Sequence, residues 1–253
     1  MSTLLQIVLG LLGAIFYIGL LRRAFVTREA RVSSEWFGPV DVAIALVLSL
    51  LLAWLSFSAL QAPAPVFTEE SIWASLVGQA LFAGIILTYI GAKRIPLREF
   101  FGLSSASIGK SMLTGFVLML VIFSFVSLLA NVHFAPENEQ EAVKFFRENK
   151  SLQSRLLLGF MAVVVAPIAE EMVFRGLLYR VFRGYFGKMS AMFFTSVLFA
   201  AIHGNVAMLL PLTILAMGFA AALESTGSLF VSIVMHSTFN AISLGWLLAE
   251  TAI

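Results

Sequence analysis

The sequence predicts an all-α, polytopic membrane protein, and three observations predict it. Of 253 residues, 60% are hydrophobic and only 12% are charged, whereas soluble domains carry about 45–50% apolar and about 25% charged residues. Mean hydropathy is +0.98. Apolar runs long enough to cross a bilayer, roughly 20 residues each, recur along the whole chain.

About eight such runs can be placed, near 3–21, 41–60, 71–92, 110–130, 153–174, 189–206, 207–223 and 228–249. No charged side chain precedes Arg22, so the first run lacks the basic start of a cleavable signal peptide and is read as a retained span. Gly109-Lys110-Ser111 opens the fourth run; a phosphate-binding loop would need glycine where Ser104 stands, so it is read as a helix start. The sixth and seventh runs nearly merge, and Gly204-Asn205 with Pro211 mark the break between them. Small residues from Ala216 to Ala222 suit close helix contact in the seventh.

The one strongly polar stretch, 131–152, separates residues 1–130 from a second half at 153–250. From about Glu137 it reads as a short interfacial helix whose Ala142, Val143, Phe145 and Phe146 touch lipid or protein; a solvated connector is the other reading. His133 there is read as ordinary.

A net charge of +2 points to no nucleic-acid partner in a chain of this class, and the absence of cysteine removes disulfides and thiolate chemistry. The basic residues mark loops instead. Arg22, Arg23, Arg28 and Arg31 follow the first run, Lys93, Arg94, Arg98 and Lys110 the third, and Arg175, Arg180, Arg183 and Lys188 the fifth. Basic loops favour the cytoplasmic side, which places both termini outside. Glu224, beside a predicted inner loop, is read as solvated.

Ionisable groups inside apolar spans cost several kcal/mol and need a partner or a function. The fifth run carries Glu170, Glu171 and Arg175, the sixth Phe199 and His203, the eighth His236 and Asn240. At about 100° per residue, Glu171 lies about 40° from Arg175 and Glu170 about 140° away. Glu171 and Arg175 are therefore expected to neutralise each other, leaving Glu170 without a local cation. A carboxyl group so placed in low dielectric suits proton transfer at neutral pH. Pro167 is expected to kink the helix ahead of it. His236 and Asn240 are four apart and reach one point. Phe199 and His203 share that spacing, with the ring walling the pocket. A fifth helix continuing to Val181 brings these groups together near mid-membrane, about 12–21 Å deep.

In this order, Glu-Glu-x-x-x-Arg, Phe-x-x-x-His and His-x-x-x-Asn resemble the CPBP family, which comprises the type II CAAX prenyl endopeptidases and the Abi bacteriocin-processing and self-immunity proteins. The resemblance covers about residues 165–245. It implies a glutamate-dependent intramembrane endopeptidase whose helices surround a conical cavity open to the cytoplasm. Position by position, Glu170 with His203 would activate water, His236 and Asn240 would hold the oxyanion, and Glu171 and Arg175 would support the site. Phe199, Phe174 and Phe239 would contact substrate. The implied partners are a membrane-associated peptide or protein and the bilayer, in a prokaryotic cell membrane.

The residues bear on other protease chemistries as well. No two histidines are four apart, Asp41 is the sole aspartate, and no serine-protease motif is present. No cofactor is expected, although Glu170, His203 and His236 leave a His₂Glu zinc site open. A non-catalytic immunity or peptide-binding protein is a further alternative. A proton-coupled transporter would need the inverted repeat that the sequence lacks.

Overall fold

The computed structural model describes residues 3–26, 32–61, 67–103, 108–133, 141–149 and 151–251. Arg28, Arg31, Glu137, Glu139 and Lys150, and the side chain of His133, lie outside the described residues.

Long helices dominate because each apolar run must satisfy its own backbone in lipid. In chain order they are α1 (Thr3–Val26), α2 (Pro39–Gln61), α3 (Glu69–Ala92), the single turn α4 (Leu97–Phe100), α5 (Ile108–His133) and α6 (Glu141–Glu148). A long rod follows: α7 (Leu152–Phe160), a π-helical turn (Met161–Val165), α8 (Ala166–Glu171), a second π-helical segment (Met172–Leu178) and α9 (Tyr179–Ala201). The chain closes with α10 (Leu209–Thr226) and α11 (Leu229–Thr251). Among the described residues seven helical stretches are long and apolar enough to cross a membrane, and the protein is a multi-pass membrane protein.

The expected count of about eight fits once the fifth stretch is divided at its kink. The fifth stretch runs 50 residues, Leu152–Ala201, about 75 Å at 1.5 Å per residue and too long for one crossing of a core about 30 Å thick. Gly187, at φ 75 and ψ 163, breaks it, a conformation that glycine adopts without strain. The two expected spans are thus two helices that meet at Gly187. Because the first part runs beyond Val181, Glu170 lies well inside it, as the longer-helix reading requires. The break after the sixth run falls at Gly204 (φ 63), and Pro211 is absorbed in the first turn of α10.

Three layers of contact hold the bundle. Ala216, Ala220, Ala221 and Ala222 on α10 are fully buried. An added Cβ at Gly218 would meet Tyr17 of α1 at 3.2 Å, so the small-residue run does set a close approach. At one end, α6 lays Phe146 into a cluster with Ile72, Leu158 and Leu247. The interfacial helix is therefore docked on protein, and Ser154 hydrogen-bonds Glu69 beside it. α5 meets α11 at Gly115, where an added Cβ would lie 2.7 Å from the Val231 carbonyl oxygen. Backbone cannot yield as a side-chain tip can. Gly115→Ala is therefore expected to cost about 1–3 kcal/mol in detergent unfolding. Gly84→Ala, which meets nothing within 4 Å, serves as the neutral control.

At the other end the structure corrects two expectations. Glu224 is 2% exposed. The helix carries on to Thr226 and ends on left-handed Gly227, so the carboxylate stays inside, accepting from Tyr179 Oη at 2.8 Å and from Arg183 Nε. Arg180, taken as a loop charge, is 1% exposed. It donates to the Phe100 carbonyl at 2.6 Å and sits 5.1 Å from the Trp36 and Phe100 rings. Both arginines face inward because the helix that bears them does not end where its hydropathy falls. Asp41 likewise pairs with Lys93 at 2.8 Å, tying the start of α2 to the end of α3.

Candidate functional site

The rod from α7 to α9 carries an irregularity where it carries its acids. Pro167 has no N–H, and in an α-helix its ring would press on the carbonyl of Val163. The backbone answers with the π-helical turn Met161–Val165, in which Ala166 N–H bonds the Met161 carbonyl five residues back. π-turns of this kind recur at functional sites. The expected kink is thus expressed as a widened turn. The short α8 that follows ends in Glu170 and Glu171, and the second π-helical segment begins directly after them.

The two acids diverge as the helix wheel requires. Glu171 is fully buried and accepts from Arg175 Nη1 at 2.8 Å through Oε1. Arg175, equally buried, also donates to the Ala216 carbonyl at 2.8 Å. Its guanidinium lies 4.6 Å from the Phe199 ring centroid and 5.2 Å from that of Phe219. The motif's Glu–Arg pair is therefore internal framework, binding α10 to the rod. Glu170 points away from it, with its side chain 22% exposed and His236 Nε2 3.9 Å from its Oε2. That distance is too long for a direct hydrogen bond and admits a bridging group.

His236 stands between the two acids. Its Nδ1 meets Glu171 Oε1 at 3.1 Å, and an ionised carboxylate can only accept, so the proton belongs on Nδ1. This leaves Nε2 turned toward Glu170. The ring stacks on Phe219 at 5.0 Å and 21° and meets the Phe199 edge at 5.6 Å, which fixes its plane.

His203 sits just past the end of α9, its Nδ1 2.8 Å from the Phe199 carbonyl. A carbonyl also only accepts, so Nδ1 carries the proton and Nε2 is the basic nitrogen of the neutral ring. The ring packs on Phe199 at 4.9 Å, so Phe199 walls both histidines. Among the described residues no hydrogen bond or ion pair joins Glu170 to His203. Asn240 Nδ2 donates to the Ala162 carbonyl at 2.7 Å.

Phe174 is buried and packs edge-on against Phe199 at 5.2 Å; Phe239 packs on Phe123 at 5.8 Å. Phe174 thus backs the site, while Phe239 belongs to the packing of α5 on α11. An apolar cavity of about 640 Å³ opens between α5, α11 and the rod, lined by Phe116, Val164, Ile168, Val234, Ser237 and Thr238 among others. None of the site's acids or histidines lines it. As for zinc, no group of three or more His, Asp or Glu among the described residues is placed to hold a metal ion. Glu170, His203 and His236 do not close into a ligand set.

Two further residues stand out in the structure, Phe219 at the site and Gln79 on the neighbouring α3. Phe219 supports both Arg175 and His236, yet looks like any aromatic among small residues. Gln79 lies on the α3 stripe Ile72, Leu76, Gln79, Ala83, Ile86 and Ile90 that packs inward, and its Oε1 is buried without a partner. A lone amide in the middle of an apolar span was the available signal.

Compared with known proteins, residues 152–242 match the family model described as type II CAAX prenyl endopeptidase Rce1-like. The match contains every residue from Glu170 to Asn240 discussed above. The comparisons with curated proteins and with solved structures found no match.

Proposed function

Proceeding from an Rce1-like segment at residues 152–242, which implies a peptidase, we propose that the protein is a glutamate-dependent intramembrane endopeptidase. Its substrate is a membrane-associated protein or peptide, with prenylated CAAX-type C-termini the first class to test. The observation that carries this reading is His236 lying between a Glu171 whose Oε1 is shared with Arg175 and a Glu170 without a hydrogen bond among the described residues.

In this reaction water lies between Glu170 and Nε2 of His203. Glu170 takes its proton as the oxygen attacks the scissile carbonyl, and later returns that proton to the departing amine. His203 accepts a hydrogen bond from the water and orients it; its Nδ1–H bond to Phe199 holds the tautomer that can do so. Negative charge on the tetrahedral oxygen is met by His236, protonated on both nitrogens and balanced by Glu171 at 3.1 Å, and by the remaining N–H of Asn240. Two carboxylates, one guanidinium and one imidazolium then sum to zero charge, which is what a site in low dielectric requires. This scheme calls on no metal.

The test is cleavage by the purified protein in lipid vesicles. Peptides ending in farnesylated CAAX sequences, and unprenylated membrane-spanning peptides, are offered and the products read by mass spectrometry. Cleavage of at least one class is expected, unaffected by chelators. No product from either class, at any lipid composition that keeps the protein folded, sinks the reading.

A further inference from the structure

Helix-bonding arithmetic around Pro167 leaves one carbonyl over. In the π-helical turn each carbonyl accepts from the residue five ahead, and Ala166 N–H has gone to Met161. The next carbonyl, that of Ala162, would be served by residue 167, and proline has no N–H to give. An unpaired carbonyl in an apolar interior is costly, and proline is tolerated in membrane helices where a neighbour fills the place. The neighbour here is Asn240, whose Nδ2 donates to the Ala162 carbonyl at 2.7 Å from α11. Four residues earlier on that helix, His236 reaches Glu171 at 3.1 Å.

We propose that Asn240 is a positioning residue: its amide N–H replaces the backbone bond that Pro167 cannot make, and so holds the widened turn that aims Glu170 at His236. This rests on the proteolytic reading and deepens it, because the first N–H of Asn240 is committed to the rod rather than to substrate. α8 is only six residues long, Ala166–Glu171, so the turn before it sets the rotation of both acids. Should the turn relax to an ordinary α-helical one, everything after it would rotate by about one residue, roughly 100°, and Glu170 would leave His236.

A double-mutant cycle tests this, with turnover and thermal unfolding in detergent as parallel readouts. Asn240→Ala is expected to lower kcat about 10–100-fold with little change in KM, as for a displaced catalytic group, and to lower the unfolding temperature. Pro167→Ala supplies an N–H at residue 167. In that background the same Asn240→Ala change is expected to cost at least about threefold less in kcat than in the wild type, what remains being the lost oxyanion N–H, and almost nothing in unfolding temperature. Equal losses in both backgrounds overturn the proposal and return Asn240 to a role on substrate alone. If the wild type cleaves nothing, the proteolytic reading fails while the unfolding cycle still decides the hydrogen bond. If Pro167→Ala does not fold, the isotope-edited infrared band of the Ala162 carbonyl decides. Asn240→Ala should move it to higher frequency, and an unmoved band overturns the proposal.

Discussion

Glu170→Gln is expected to abolish peptide cleavage, by about 10²–10⁴-fold, and to leave the unfolding temperature unchanged. The two halves of that result have separate causes. Glutamine keeps the shape but cannot take a proton from water. Stability is spared because Glu170 makes no hydrogen bond among the described residues: His236 lies 3.9 Å away and the Glu170 side chain is 22% exposed. Single-turnover cleavage and a thermal melt on the same preparation measure both. Retention of cleavage within tenfold would falsify the role given to Glu170, and a peptide-binding protein without catalysis would keep its phenotype in this variant. The same variant, still folded, is the one suited to trapping substrate for mass spectrometry.

Arg175→Met is expected to behave in the opposite way, costing about 3–5 kcal/mol of stability. The guanidinium and Glu171 are 1% and 0% exposed, 2.8 Å apart. Removing the cation leaves a buried carboxylate supported by His236 alone, and frees the Ala216 carbonyl that Arg175 also holds. Breaking a buried pair from one side is harsher than removing both partners. Glu171→Leu combined with Arg175→Met should therefore recover part of the lost stability while remaining inactive, because His236 then has no carboxylate on Nδ1. Denaturant titration of the three proteins measures this. A loss below about 1 kcal/mol for Arg175→Met, the range of a surface pair, would show that the pair is not the framework described.

Much of this was legible in one dimension. The apolar runs announce a membrane bundle because a backbone in lipid can satisfy itself only as a helix or a closed barrel. The spacing of Glu171 and Arg175 announces their pairing because residues four apart share a helix face. Their contact survives even though a π-helical segment begins between them. Glu170, set one residue aside, is left free by the same rule.

Other features depend on which helices touch. Glu224, Arg180 and Arg183 look like charges at the edge of a span, and hydropathy treats them as solvated. Glu224 and Arg180 are buried, and Arg183 half-buried, because α9 and α10 overrun the apolar windows and Tyr179 and the turn at Phe100 close over them. The partner of Asn240 lies 78 residues away and is an unexceptional alanine whose carbonyl is orphaned by a proline five positions on.

Local sequence thus states which groups share a face and which must find a partner, since helix geometry and the cost of burial operate within a few residues. Only the packed bundle decides who that partner is. His236 stands between two adjacent glutamates, and Asn240 reaches the turn beneath them, because α11 lies against the rod at that level. That approach comes from side chains on several helices at once, and no single stretch of sequence contains it.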